Sequence, residues 1–99
     1  MINDHTRHIG VLSVSIYIPA AQSLKDKRMV LRSLRDRVKA KYNASVAELN
    51  GQDKWQTAIF GFAVIGNDNR QVDRCLQEIL SFIETFRDIE ISDYKIQFV

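Results

Sequence analysis

Between His8 and Ile18 apolar and polar side chains alternate, with Leu12, Val14, Ile16 and Ile18 on one face and Val11, Ser13, Ser15 and Tyr17 on the other. A repeat of two marks a strand, because successive strand side chains point to opposite faces. Pro19 lacks a backbone donor and ends the ladder, and Ser23 stands where a helix N-cap belongs, with Asp26 three residues later. From there the period changes. Leu24, Leu31, Leu34 and Val38, with Val30 at the margin, recur at helical spacing and predict a helix from Leu24 to about Tyr42, ended by Asn43.

Ala44 to Leu49 reads as a short strand, and Asn50-Gly51-Gln52-Asp53 supplies turn chemistry before a second strand from about Trp55 to Ile65. Gly66-Asn67-Asp68 then punctuates the chain, and Asp68 with Gln71 resembles a capping box. It opens a second helix whose buried stripe is Val72, Cys75, Leu76, Ile79, Ile83 and Phe86. Ile89, Ile91, Tyr94, Ile96 and Phe98 form a last strand, and the slip of phase between Ile91 and Tyr94 predicts a bulge. The order βαββαβ is the split βαβ plan: an α+β, ferredoxin-like sandwich with a four-stranded antiparallel sheet and two helices on one face. If Phe60, Phe62 and Val64 point toward the helices, the open face receives Ile59, Gly61, Ala63 and Ile65 beside Val11, Ser13, Ser15 and Tyr17.

Length adds the domain count. Ninety-nine residues suit one domain, read as residues 8–99 behind a flexible polar tail at 1–7, and can bury a core without metal or disulfide staples. Hydrophobic content of 45% and charged content of 26% are those of a globular chain. The longest apolar run falls far short of a bilayer span, and the polar start of the chain is unlike a signal peptide. The lone Cys75 cannot form an internal disulfide, which agrees with a reducing compartment. The expectation is a cytoplasmic protein without a membrane partner.

Net charge is only +2, but its distribution is uneven. From Lys25 to Lys41 eight basic residues stand against Asp26 and Asp36, a balance of +6; the remainder has six basic and ten acidic residues, a balance of −4. At about 100° per residue, Lys25, Arg28, Arg32, Arg35 and Lys39 gather within an arc of roughly 80° beside the apolar stripe, spread over about 21 Å of helix. Such a row can follow several phosphates of a polyanion. Lys25, Lys27 and Arg28 also occupy the positive end of the helix dipole, where each cation costs roughly 0.3–1 kcal/mol, so stability alone would not place them there. The competing explanation is a solvated face paired across space with acids such as Glu48, Asp73, Glu78 or Glu84.

A family resemblance points the same way. Ile9-Gly10-Val11-Leu12, Ile18-Pro19, Ser23-Leu24-Lys25-Asp26-Lys27-Arg28, Ser45-Val46-Ala47-Glu48, Gln52-Asp53, Trp55-Gln56 and Gly66-Asn67-Asp68 resemble the YlxP-like family of small uncharacterised bacterial proteins. The resemblance covers most of the chain after residue 8. It implies a ferredoxin-like fold in a bacterial cytoplasmic protein. The family's frequent encoding near transcription-termination, translation-initiation and ribosome-maturation factors implies RNA or ribosome association. It implies no catalytic site. The chain departs from the pattern in its longer polar N-terminus, in Gly51 where a histidine is expected, and in Lys54 where an apolar residue is common.

Other chemistry finds little support. Cys75 falls on the apolar stripe of the second helix, and His5 and His8, near the chain start, are the only histidines, so neither a triad nor a zinc site assembles. The connection Pro19 to Ser23 lacks the glycine-rich, arginine-bearing phosphate loop of acylphosphatases, and no Walker or dinucleotide fingerprint is present. Ile16-Tyr17-Ile18 and Phe60-Gly61-Phe62-Ala63-Val64 partly echo the strand motifs of the RRM, but Phe60 and Phe62 look committed to the core.

The sequence therefore predicts a non-enzymatic RNA-binding or ribosome-associated protein without a cofactor, contacting phosphates through Lys25, Lys27, Arg28, Arg32, Arg35 and Lys39. Trp55 and Tyr17 are candidate partner contacts, against the commoner role of such a tryptophan as a cap on its own core. The alternative is a homodimer or adaptor module that uses the open sheet face.

Overall fold

The computed structural model describes residues 6–99; residues 1–5, which carry most of the expected tail and His5, lie outside the described residues. The chain runs β1 (His8–Tyr17), α1 (Leu24–Lys41), β2 (Ser45–Asn50), β3 (Thr57–Gly66), α2 (Asn69–Glu84) and β4 (Glu90–Phe98). The strands form one antiparallel sheet in the order β2-β3-β1-β4, the ferredoxin-like arrangement. The two longest strands, β1 and β3, sit at its centre, where Leu12 faces Phe62 and Val14 faces Phe60.

Each helix starts where its capping side chain dictates. Ser23 Oγ accepts from the Asp26 amide at 3.1 Å, and the Asp26 carboxylate in turn accepts from the Gln22 amide. Asp68 caps α2 by accepting from the Arg70 amide at 2.9 Å. Leu31, Leu34 and Val38 of α1 and Val72, Leu76, Ile79, Leu80 and Ile83 of α2 close over Leu12, Val14, Ile16, Phe60, Phe62 and Val64 of the sheet. This is the face expected for Phe60, Phe62 and Val64, and burial of both phenylalanines removes them from any base-stacking role.

Two bulges shape the edge strands. In β4, Ser15 pairs with Asp93 and Ile16 with Ile91, so Ser92 is the extra residue, inside the interval where the apolar phase slips. Its hydroxyl is used at once, lying 3.0 Å from Ser15 Oγ and donating to Ser15 O at 3.2 Å. In β2, Glu48 pairs with Phe60 and Asn50 with Ile59, leaving Leu49 unpaired, which the sequence pattern did not announce. Leu49 lies over Gly61 on the open face, where a Cβ added to the glycine would come within 2.8 Å of a Leu49 methyl.

The hairpin turn is longer than expected, because β3 begins at Thr57 rather than Trp55. Gln56 continues the β1–β3 register by one backbone bond, and its side chain reaches outside the sheet. Its side-chain amide donates to the carbonyls of Pro19 and Ala21, and its own carbonyl accepts from the Ile18 amide at 2.7 Å. The hairpin turn is thereby tied to the β1–α1 connection.

Candidate nucleic-acid interface

The apolar stripe of α1 contains a cation. Lys27 is 1% exposed and lies in line with Leu31, Leu34 and Val38 at positions i, i+4, i+7 and i+11, the same narrow face of the helix. Burying an ammonium is costly unless its three donors find acceptors. Lys27 finds three: its Nζ donates to the Gly51 carbonyl and to the Lys54 carbonyl at 2.6 Å, and the Glu48 carboxylate lies at 3.3 Å. The Glu48 oxygen is itself buried and has no other partner, so its contact with Lys27 is electrostatic attraction rather than a well-aligned hydrogen bond. Lys27 thus staples α1 to the β2–β3 turn, and the expectation that it touches phosphates is corrected: it is enclosed and fully committed. Leu24 changes places with it, left 37% exposed although its spacing assigned it to the core.

The other five candidates behave differently. Lys25, Arg28, Arg32, Arg35 and Lys39 are all exposed, and the Lys27–Glu48 contact is the only ion pair among the described residues. Asp36, one turn beyond Arg32, does not hold it. Taking Lys27 as the centre of the buried face, about 100° per residue puts the five on one flank, roughly 80–160° round.

The opposite flank carries Arg37 and Lys41, and these are engaged with α2 and the residues just beyond it. The Arg37 guanidinium stands 4.1 Å from the Phe86 ring centroid and 5.6 Å from that of Phe82; the Lys41 ammonium stands 4.7 Å from Phe82 and 5.7 Å from Tyr42. Phe82 packs edge-on against both Tyr42 and Phe86. Cation–π attraction of this kind fixes charge against the fold. Because Arg37 and Lys41 face α2, the five-cation flank faces away from it, toward the edge of the sheet formed by β2.

Trp55 is 53% exposed, so it does not act as a cap on its own core. Tyr17, 36% exposed, ends β1 on the open face opposite Thr57. That face carries Ile65 at 62% and Leu49 at 53% exposure, with Val11, Ile59 and Ala63 half-buried. A shallow, almost wholly apolar groove of about 180 Å³ runs along it between Val11, Ala47, Leu49, Gly61 and Ala63.

Cys75 is partly buried, and that burial, with a smaller contribution from the Glu78 carboxylate, pushes its thiol pKa up, away from a reactive thiolate. Among the described residues no three His, Cys, Asp or Glu side chains could share a metal, and no helix is long and apolar enough to cross a membrane.

Residues 9–96 match the family described as "Protein of unknown function (DUF503)". The uncharacterised protein YlxP of Bacillus subtilis (strain 168) is 40% identical over 82 residues, which is 83% of this chain and 89% of that protein. Among solved structures, the de novo designed protein Foldit4 superposes with a TM-score of 0.52 at 13% identity, covering 94% of this chain and 96% of that one. At that identity the likeness concerns fold alone.

Proposed function

The chain belongs to the YlxP-like family of proteins of unknown function (DUF503), which lends it no assigned activity, and from its own surface we propose a non-enzymatic, cytoplasmic RNA-binding or ribosome-associated protein. Its contact is with phosphates, through Lys25, Arg28, Arg32, Arg35 and Lys39. The observation that carries this reading is that these five cations have no carboxylate partner among the described residues, although the helix's other three cations, Lys27, Arg37 and Lys41, are all engaged by the fold. Four or five neutralised phosphates on a single strand give a log-log salt slope of about −3. Filter binding of RNA across a salt series measures it. Changing Arg28, Arg32 and Arg35 together to Ala should leave a slope near about −1, and an unchanged slope would eliminate this flank as the contact.

The exposed apolar residues of the open sheet face favour a second reading, a homodimer or adaptor module. Ile65 and Leu49 beside Val11, Ile59 and Ala63 make a patch that a monomer seldom displays. Sedimentation over a wide concentration range tests self-association; a monomer at every concentration removes the homodimer. The two surfaces are separate, so this reading does not compete with the first for residues.

A further inference from the structure

The β2–β3 turn is held in a way that its own hydrogen bonds do not require. On one side of Trp55, the Lys54 carbonyl is gripped by buried Lys27. On the other, Gln56 is bound three times, by its carbonyl to the Ile18 amide and by its side chain to the carbonyls of Pro19 and Ala21. The residue between these anchors is the chain's one tryptophan, and it is left 53% exposed. A rigid backbone carrying an exposed indole is a stacking surface whose ordering has been paid for before any ligand arrives.

Its position relates it to the cationic flank. The Lys54 carbonyl oxygen lies 2.6 Å from Lys27 Nζ, which by covalent geometry puts the Trp55 Cα within about 5 Å of that nitrogen. Lys27 is on the first turns of α1, the same end of the helix as Lys25 and Arg28, which lie round from its buried face. The exposed Lys54 precedes the tryptophan, and the exposed Tyr17 is tied into the same end of the sheet by the pairing of Tyr17 with Thr57. One end of the molecule therefore combines the start of the cationic row with an exposed indole, carried by the turn that Lys27 anchors to the same end of α1.

We propose that Trp55 is a base-stacking residue, and that the RNA recognised has at least one unpaired nucleotide where its backbone passes the first turns of α1. This rests on the phosphate reading of α1 and adds the class of RNA. A continuous duplex keeps its bases stacked inside and offers nothing to an indole, whereas a loop, bulge or single strand can turn one outward.

Trp55 makes the test direct, because the intrinsic tryptophan fluorescence of the protein comes from this residue alone. A twelve-nucleotide oligouridylate and a twelve-base-pair RNA duplex are titrated in parallel. End-labelled RNA reports binding by anisotropy, and unlabelled RNA reports stacking by quenching of Trp55. The single strand is expected to bind with strong quenching, and Trp55→Ala to weaken it about tenfold while Trp55→Phe restores most of the loss. Duplex binding, measured by anisotropy, should be the same in all three proteins. Single-strand binding without quenching, at equal affinity in Trp55→Ala, overturns the stacking role and leaves the cationic row standing. Absence of anisotropy change with either RNA at low salt sinks the row, and the stacking role with it. Far-ultraviolet circular dichroism confirms that both variants fold, as expected for so exposed a side chain.

Discussion

Replacing Lys27 by Met tests whether a buried ammonium holds α1 to the hairpin. The methionine keeps most of the aliphatic stem in its place on the buried stripe with Leu31 and Leu34, so little cavity opens and the change is chiefly one of charge and hydrogen bonding. Two carbonyls, of Gly51 and Lys54, lose their donor, and Glu48 loses the cation 3.3 Å away. Charge-assisted bonds contribute about 1.5–3 kcal/mol each, but removing the ammonium also relieves its own desolvation, which costs several kcal/mol. Breaking a buried pair from one side generally costs about 3–5 kcal/mol. Here the Glu48 side chain is 22% exposed and can turn partly to water, which places the expected loss at the lower end, about 3 kcal/mol.

A double-mutant cycle separates pairing from packing. Glu48→Leu alone should cost about 1–2 kcal/mol, since Lys27 keeps its two carbonyls. The double variant Lys27→Met/Glu48→Leu should be more stable than the two single losses predict by about 1–2 kcal/mol, because no orphaned carboxylate remains. Urea denaturation at neutral pH, followed both by circular dichroism and by Trp55 fluorescence, gives all four free energies. A loss below about 0.5 kcal/mol in Lys27→Met would show that the ammonium contributes no structural tie, and additivity around the cycle would show that it is not coupled to Glu48.

Three further outcomes are expected. Gly51 has φ +88° and a Cβ there would stand 2.9 Å from the Thr57 carbonyl oxygen, so Gly51→Ala should lower unfolding free energy by about 1–3 kcal/mol in the same urea assay. Burial raises the pKa of Cys75, so at any given pH less thiolate is present than in an unhindered thiol. Its reaction with Ellman's reagent in the folded protein should therefore be slow at neutral pH and inflect at higher pH than free cysteine. Arg37→Ala removes the 4.1 Å contact with Phe86 and should cost about 0.5–1 kcal/mol while leaving the RNA salt slope unchanged, in contrast with changes at Arg32 or Arg35.

Much of the fold was legible because its signals are local. Alternation in β1, the Ser23 and Asp68 caps, and the phase slip that becomes the Ser92 bulge each depend on a few adjacent residues. The failures are tertiary. Lys27 was grouped with the cations by its chemistry, yet its helical phase is that of Leu31, Leu34 and Val38; the phase was the available signal, and it outranks side-chain type where an acceptor set exists to receive the charge. That set could not be read from the chain, because it is made of two backbone carbonyls in a turn and a carboxylate on another strand. At Trp55 the sequence offers two roles, partner contact and the commoner core cap, and cannot choose between them for a similar reason. An aromatic beside a hairpin reads as a cap until the neighbouring Gln56 is found pulling the turn toward Pro19 and Ala21.

The eight basic residues of α1 divide into three groups with different physical accounts. Lys27 is held by fixed acceptors that offset its burial, and Arg37 and Lys41 rest on aromatic rings of α2, Tyr42 and Phe86. For these three, stability is reason enough. Lys25 and Arg28 stand at the positive end of the helix dipole, costing roughly 0.3–1 kcal/mol each, and Arg32, Arg35 and Lys39 extend their repulsion along the same flank. The explanation that would make this row an ordinary solvated surface requires carboxylates from β2 or α2 beside it. The candidate acids are otherwise placed: Glu48 turns inward to Lys27, Glu78 lies beside Cys75, and Arg37 and Lys41 show that α2 meets the other side of the helix. A flank that the fold leaves uncompensated is one where an external polyanion relieves repulsion instead of competing with internal partners, which is the condition for binding dominated by counterion release.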